Sequence, residues 1–253
     1  LYEDAARWDA LATTLEAAAK VAADDVTRVA TLHRLGAVQQ HRLGNPEHAI
    51  HWYRAALEVD PLHEASLRAV EPLLVEHERL DELVIVRRAE ADATRDDLRR
   101  ATALHRVAEL LERRGDVSNA IETHSRALAA RPGHLPSFRA LDRLYAITGR
   151  WHELAALHEG AVDLAGDDVA RVAALLRVAG IFESSIDDPV RAAQTFRRVL
   201  ELDAGHLGAL RGWQRNAERA GRSDEVMQAR EREATLTKDA AAKAELLCRA
   251  AEV

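Results

Sequence analysis

Histidine, carboxylate and hydroxyl side chains are the groups in this chain of 253 residues that could perform catalysis or bind a metal. The motif closest to a known site is His152-Glu153, which is followed by His158. A zinc protease needs its two histidines four residues apart on one helix face, with the glutamate between them. A separation of six residues puts His158 on another face, so we predict no zinc site there.

His48 and His51 lie one helical turn apart, with His41 nearby, and could approach one metal ion. No cysteine or carboxylate set completes such a site, so we interpret these histidines as solvent-facing polar residues. The chain also has no glycine-rich phosphate loop, and no serine or cysteine in a recognisable nucleophile setting. The sequence therefore predicts a protein that is not an enzyme, with no metal site and no cofactor.

Pairs of aspartates precede three of the predicted helices. They stand at residues 24–25, 96–97 and 167–168. A carboxylate at a helix start accepts hydrogen bonds from unpaired backbone N–H groups and meets the positive end of the helix dipole. We therefore predict that these pairs cap helices and hold no metal.

Three histidines, His63, His134 and His206, recur at matching positions of the chain. Helices pack roughly 8–10 Å apart, so positions two hairpins apart are separated by on the order of 20 Å or more. Histidines at that separation cannot share an ion. We predict a structural role for them, in which each histidine opens a helical hairpin.

The elements that would position any site are pairs of helices. In residues 97–132 apolar and small side chains recur at steps of three and four, which places them on one face of each helix. These positions are Leu104, Val107, Ala108 and Leu111 in the first helix and Ala120, Ile121, His124, Ala127 and Leu128 in the second. Gly115 and Asp116 separate the two helices, with Asp116 as a cap, and Pro132 ends the second helix.

This hairpin recurs along the chain. Residues 44–46 and 187–189 correspond to residues 115–117, and the starts give 115 − 44 = 71 and 187 − 115 = 72. A period of 71 or 72 residues is two unlike hairpins of about 35 residues each. The predicted hairpins cover residues 25–60, 61–95, 97–131, 132–166, 168–203 and 204–238.

The repeated residues resemble a tetratricopeptide repeat, whose large, small and helix-ending signature positions include Leu104, Ala108, Ala120 and Pro132. The resemblance implies an all-α, right-handed superhelix of about six helical hairpins with a lone helix at each end. It would form a single solenoid over residues 1–253, and its alternating unlike hairpins resemble a bacterial array. In this family the small residues let the two helices of a hairpin approach closely.

Both ends of the chain fall inside the repeat pattern. Residues 4–22 match the second helix of a hairpin, and residues 240–253 match a first helix. Each would expose an apolar stripe that a neighbouring hairpin normally covers, so we predict a piece of a longer array. Its ends should associate with each other, fray, or leave the chain less stable than a version extended by one repeat. We also predict that Asn45 caps a helix starting at Pro46, and that Pro72 kinks or shortens its helix.

Bulk composition argues against several classes of protein. A net charge of −7, spread along the chain, argues against a general nucleic-acid binder. No apolar run approaches the roughly 20 residues needed to cross a bilayer, so we predict no membrane insertion. The single cysteine, Cys248, excludes an internal disulfide and leaves the compartment open, with the cytoplasm favoured.

An arginine recurs in every hairpin, on the face of the first helix that should point away from the packed side. At about 100° per residue, positions one, two and five after the leading apolar residue face outward. The arginines there are Arg34, Arg106, Arg177 and Arg249 in one type of hairpin, and Arg68, Arg139, Arg143, Arg211 and Arg215 in the other. In tetratricopeptide arrays this face lines the concave groove where peptides bind, so the resemblance implies a ligand-binding groove rich in arginine.

Two other interpretations of these arginines stay open. Acidic side chains on the same helices could pair with them, in exposed pairs that contribute about 0–1 kcal/mol each. The candidate acidic partners are Glu71, Glu109, Glu112, Asp142, Glu183 and Glu218. Alternatively, a partner binds the convex side or the ends of the array.

The leading functional prediction is a non-catalytic scaffold that binds a segment of another protein or peptide, preferably an acidic one, in the arginine-lined groove. A helical array that binds RNA or another nucleic acid is one alternative, although a base-reading array needs variable residues where this chain repeats arginine. A regulatory segment attached to an enzyme outside these residues is the other alternative.

Overall fold

The computed structural model describes residues 7–236, which form thirteen α-helices, one π-helical segment and no strand. The helices are α1 (Trp8–Lys20), α2 (Asp25–His41), α3 (Pro46–Val59), α4 (Glu64–Glu76), α5 (Leu80–Ala93), α6 (Asp97–Arg113), α7 (Val117–Ala130), α8 (Leu135–Ile147), α9 (Trp151–Leu164), α10 (Asp168–Ile181), α11 (Pro189–Leu202), α12 (Leu207–Arg219) and α13 (Ser223–Leu236). The π-helical segment, Phe182–Ile186, follows α10. The predicted all-α class is confirmed for this part of the chain.

The chain divides into two compact units, Leu1–Ser137 and Phe138–Val253, with the boundary inside α8. Within the described part of the first unit, each helix from α1 to α7 packs against the next. Within the described part of the second unit, the same holds from α9 to α13. Each predicted hairpin range contains one pair of these helices, while a single solenoid over residues 1–253 stays a prediction.

Aliphatic and small side chains form the core of each unit. In the first unit Leu11 and Leu15 of α1 pack with Leu35 and Val38 of α2. In the second unit the core includes Leu175, Phe196, Leu210 and Trp213. The small Ala108 and Ala120 are completely buried, as their signature positions predict.

Local hydrogen bonds confirm the predicted caps. Asp24 accepts a hydrogen bond from the backbone N–H of Thr27 at 2.7 Å and another from the Thr27 hydroxyl. Both bonds favour the carboxylate and lower the pKa of Asp24. The second and third caps are equivalent: Asp96 accepts from Arg99 N–H at 2.6 Å, and Asp167 accepts from Ala170 N–H at 2.8 Å. The aspartate pairs therefore start helices.

The recurring histidines also stand at helix starts. His63 precedes α4 and accepts from the backbone N–H of Ser66 at 3.3 Å. His206 precedes α12 and accepts from Ala209 N–H at 3.0 Å. Each histidine thus supplies the side-chain acceptor that the first turn of a helix needs.

Two predictions about the first hairpins hold only in part. Asn45 is the N-cap residue of α3 and Pro46 is its first residue, as predicted, but the Asn45 side chain accepts no capping hydrogen bond and its Nδ2 donates to Gln39 Oε1 at 3.3 Å. Pro72 lies inside α4 without shortening it, since α4 has 13 residues, as α8 and α12 do, while a kink at Pro72 stays a prediction.

The apolar stripe predicted to be exposed on the first helix is covered. Leu11 and Leu15 are buried, and Trp8 packs on the same cluster, against residues of α2 and α3. The prediction that the first helix exposes this apolar stripe, on which end-to-end association partly rests, is therefore wrong. The stripe predicted for residues 240–253, with Arg249, lies outside the described residues.

Gly36 allows a close helix approach in the first unit, and its substitution is a test of this packing. A Cβ at Gly36 would lie 2.7 Å from the Tyr53 ring, whereas one at Gly180, on α10 of the second unit, would meet nothing within 4 Å. We expect Gly36→Ala to destabilise the protein by about 1–3 kcal/mol through overpacking. Gly180→Ala should be neutral or stabilise by up to about 1 kcal/mol, since alanine favours helix. Urea denaturation of both variants measures this, and equal effects would contradict it.

Candidate ligand-binding arginines

All eight arginines that the sequence proposes as ligand contacts and that the structure describes are exposed to solvent. They are Arg34, Arg68, Arg106, Arg139, Arg143, Arg177, Arg211 and Arg215. Exposure is necessary for ligand binding, but the ion pairs of these side chains differ. Those pairs separate the arginines that the fold already uses from the ones that could hold a ligand.

Four of the eight arginines pair with carboxylates of the same unit. The pairs are Arg68–Glu64, Arg177–Asp142, Arg211–Glu233 and Arg215–Glu183. The last is bidentate, with Nε and Nη2 of Arg215 donating to the two Glu183 oxygens at 2.6 and 2.8 Å. Internal pairing therefore accounts for these four, and Arg34 and Arg143 also interact with neighbouring groups.

Glu183, in the π-helical segment, is held by three side chains of α12. Its Oε1 also accepts from Asn216 Nδ2 at 2.7 Å, and Arg219 Nη1 lies 3.4 Å from its backbone carbonyl. Burial favours the neutral acid, but the bonds from Arg215 and Asn216 lower the pKa of Glu183 overall. This network makes Arg215 a structural residue of the second unit.

Arg106 and Arg139 have no ion pair, side-chain hydrogen bond or cation–π contact within the described residues. Arg139 has no ion pair because of the residue that lies one helical turn before it. Arg68 occupies the equivalent position and pairs with Glu64 at 2.5 Å, but the residue equivalent to Glu64 is Leu135. The guanidinium of Arg139 therefore lacks the carboxylate that holds Arg68.

Arg106 lacks the ion pair that its equivalent in the second unit makes. That equivalent, Arg177, lies 3.8 Å from Asp142. Glu71 corresponds to Asp142 in the repeat and pairs with Arg87, a buried residue of α5, but makes no ion pair with Arg106.

The histidines of the sequence motifs are not arranged as metal ligands. His158 lies 2.7 Å from Asp142, which links α9 to α8 in the second unit. His41, His48 and His51 are exposed side chains of the first unit. Within residues 7–236 no group of three His, Cys, Asp or Glu side chains is placed to hold a metal ion.

A cleft of about 370 Å³ lies between α1, α2 and α3 of the first unit, and sequence reasoning missed it. Asp9 and Glu16 contribute carboxylates to its wall, and Leu35 and Trp52 contribute apolar surface. The negative charge of this cleft is opposite to that of the arginines, so an acidic ligand would avoid it. In the same described range, no helix combines the length and apolar character that crossing a membrane requires.

Solved structures resemble the chain only distantly. The Naa15/Naa10 complex bound to HypK-THB aligns with 98% of the chain at 15% identity and a TM-score of 0.47, and the chain spans 40% of that protein's length. A tetratricopeptide repeat protein from Parabacteroides merdae aligns with 99% of the chain and 94% of its own length, at 14% identity and a TM-score of 0.38. Since both TM-scores are below 0.5, we transfer nothing from these structures.

Sequence comparison is more specific for one hairpin. No curated protein sequence matches the chain. Residues 103–135, from the middle of α6 through α7, match the family model of the tetratricopeptide repeat. This match confirms the resemblance seen in the residues: the chain carries a tetratricopeptide repeat, formed by α6 and α7, within an array of helical hairpins.

Proposed function

We propose that this chain is a non-catalytic protein-interaction scaffold that binds an acidic segment of a partner protein. Repeated helical hairpins expose long helix faces, and such faces are where helical-repeat proteins bind other chains. The observation that carries the proposal is the exposure of Arg106 and Arg139 without a carboxylate partner in the described structure.

The guanidinium groups of Arg106 and Arg139 favour a ligand that carries carboxylates. A guanidinium presents N–H donors in a planar fork that matches the two oxygens of a carboxylate. Arg139 is followed one turn later on α8 by Arg143, which is also exposed. A segment with successive acidic side chains could therefore contact both residues in the second unit, and Arg106 offers a separate contact in the first.

Binding of a glutamate-rich peptide tests the contact in the first unit. We expect Arg106→Gln to weaken binding of a fluorescein-labelled peptide by about threefold to fivefold, since an exposed pair contributes up to about 1 kcal/mol. Arg68→Gln is the matched control, because Arg68 is also exposed but already pairs with Glu64. Fluorescence anisotropy at low ionic strength measures both variants.

A single-stranded RNA of the same length serves as the competing ligand in that experiment. An RNA that binds more tightly than the peptide, with an affinity that falls steeply as salt rises, would favour the nucleic-acid alternative. Equal binding of the peptide to the wild type, Arg106→Gln and Arg68→Gln would contradict the proposed contact in the first unit.

A further inference from the structure

The first unit contains two half-buried histidine networks at equivalent positions of the repeat. The first network consists of His33 on α2, Ser66 on α4 and His63 before α4. Ser66 Oγ lies 3.1 Å from His33 Nδ1 and 2.9 Å from His63 Nδ1. Because the Ser66 backbone N–H also donates to His63 Nδ1, that nitrogen carries no proton. The Ser66 hydroxyl must then donate to His63 and accept from His33, which requires a neutral His63.

The second network consists of His105 on α6, His124 on α7 and His134 before α8. His124 is completely buried, and its Nε2 lies 3.1 Å from Glu112 Oε1, so Nε2 donates. Its Nδ1, 3.4 Å from His105 Nδ1, then accepts a hydrogen bond from His105. The His134 ring lies 5.6 Å from the His105 ring.

A proton on an accepting nitrogen would break a hydrogen bond in each network. In the second network a proton on His124 Nδ1 would point two N–H groups at each other in a buried site. In the first network a proton on His63 Nδ1 would remove the acceptor for the Ser66 hydroxyl, which links His63 to His33.

The third repeat lacks these hydrogen-bonded networks. Leu176, Phe196 and Ala209 stand where the second repeat has His105, His124 and Ser137, while His206, the equivalent of His134, caps α12. Phe196 and Ala209 belong to the apolar core of the second unit. The chain thus contains an internal comparison, in which the same junction is built with and without linked histidines.

Charged groups around the two networks do not cancel the effect of protonation on their hydrogen bonds. Beside the second network, the carboxylates of Glu109 and Glu112 favour protonation, while the positive charge of Arg131 disfavours it at His134. Beside the first network, Tyr53 of α3 is neutral in acid and Arg99 Nη2 lies 3.2 Å from the Leu62 carbonyl. Glu64, the nearest carboxylate in sequence, pairs with Arg68.

We propose that the first unit is an acid-sensitive element, because its two histidine networks break when they are protonated. Loss of the first network loosens the packing of α2 and α3 on α4, and loss of the second loosens the packing of α6 and α7 on the start of α8. The second unit, with an apolar junction at the equivalent place, keeps its packing over the same pH range. Mild acidification therefore acts on one half of the array and leaves the other half folded.

The sign of the effect follows from the histidine pKa values. Burial is the main cause that lowers the pKa of His33, His124 and His134. An unfolded histidine titrates near about 6.5, so below that pH the unfolded state binds more protons than the folded state. Stability is complete above about pH 6.5 and falls as the pH drops through this window toward the lowered pKa values.

Hydrogen exchange of the whole chain at about pH 7.5 and about pH 5.5, corrected for intrinsic rates, tests the proposal. When the folded state binds one proton fewer than the open state, the equilibrium constant for opening changes by about tenfold per pH unit. Protection in α2–α4 and α6–α7 should therefore fall by about tenfold or more at the lower pH. Protection in α10–α12 should change by less than about threefold. An equal loss in both units, or no loss in the first, would overturn the proposal.

A variant that copies the third repeat is the control. His33→Leu, Ser66→Ala, His105→Leu, His124→Phe and Ser137→Ala together should abolish the extra loss in the first unit, and a retained loss overturns the proposal. If this variant does not fold, NMR titration of the histidine ring protons in the wild type decides. The rings of His33, His124 and His134 must then titrate with midpoints below about pH 6.5, the value of an unfolded histidine, and midpoints at or above it reject the inference.

Discussion

Replacement of Arg87 by methionine is expected to lower the free energy of unfolding by about 3–5 kcal/mol, the usual effect of removing one partner of a buried ion pair. Arg87 is 3% exposed, and its guanidinium pairs with Glu71 and, at 2.7 Å, with Glu90. Glu90 is 6% exposed and would keep only Arg99 Nε, at 3.3 Å, as a charged partner. Urea denaturation followed by far-UV circular dichroism measures the loss.

The neighbouring Arg88 is the control for this experiment, since it lies on the same helix and is exposed. Arg88→Met should change stability by no more than about 0.5 kcal/mol. A double variant, Arg87→Met with Glu90→Gln, should recover part of the loss, because it removes the unpaired buried charge. Similar stabilities for Arg87→Met and Arg88→Met would show that the buried network contributes little.

Reversal of the arginine pair on α8, by Arg139→Glu with Arg143→Glu, is expected to weaken binding of the glutamate-rich peptide by about 100-fold. Each exposed attraction is worth up to about 1 kcal/mol, and each reversal adds a repulsion of similar size. Helicity should be retained because both side chains are exposed, and any loss of stability should be limited to the interaction that Arg143 makes, since Arg139 has no ion-pair partner in the described structure.

Arg211 and Arg215 form the matched control, since they occupy the equivalent positions of α12 with the same spacing. Both are exposed, but they pair with Glu233 and Glu183. Arg211→Glu with Arg215→Glu should therefore lower stability and leave peptide binding unchanged. If the α8 variant instead loses stability and binds normally, the arginines have structural roles and the ligand-binding proposal fails.

Local features of this protein were predictable from its sequence. The 71- and 72-residue spacings predict where each hairpin begins, and Asp24, Asp96 and Asp167 do cap helices. Such features depend on residues within one or two helical turns, which a sequence shows directly. Asn45 is also the N-cap residue of its helix, but its side chain accepts no capping bond, and its Nδ2 donates to Gln39.

The roles of the arginines could not be predicted in the same way. Helical spacing places Arg106, Arg139 and Arg177 alike on an outward face, and all three are exposed. The absence of a carboxylate one turn before Arg139 is visible in the sequence, since Leu135 stands there. The ion pair between Glu71 and Arg87 is not visible in the sequence, because the two residues lie on different helices.

The sequence by itself therefore determined the helices, their ends and the repeat to which they belong, since these follow from short-range periodicity and hydrogen bonding. Tertiary structure alone decided which charged and titratable groups meet. His105 and His124 are 19 residues apart in the chain, yet their Nδ1 atoms lie 3.4 Å apart. The energy of such a pair depends on distance and burial, which only the packing of one helix on another sets.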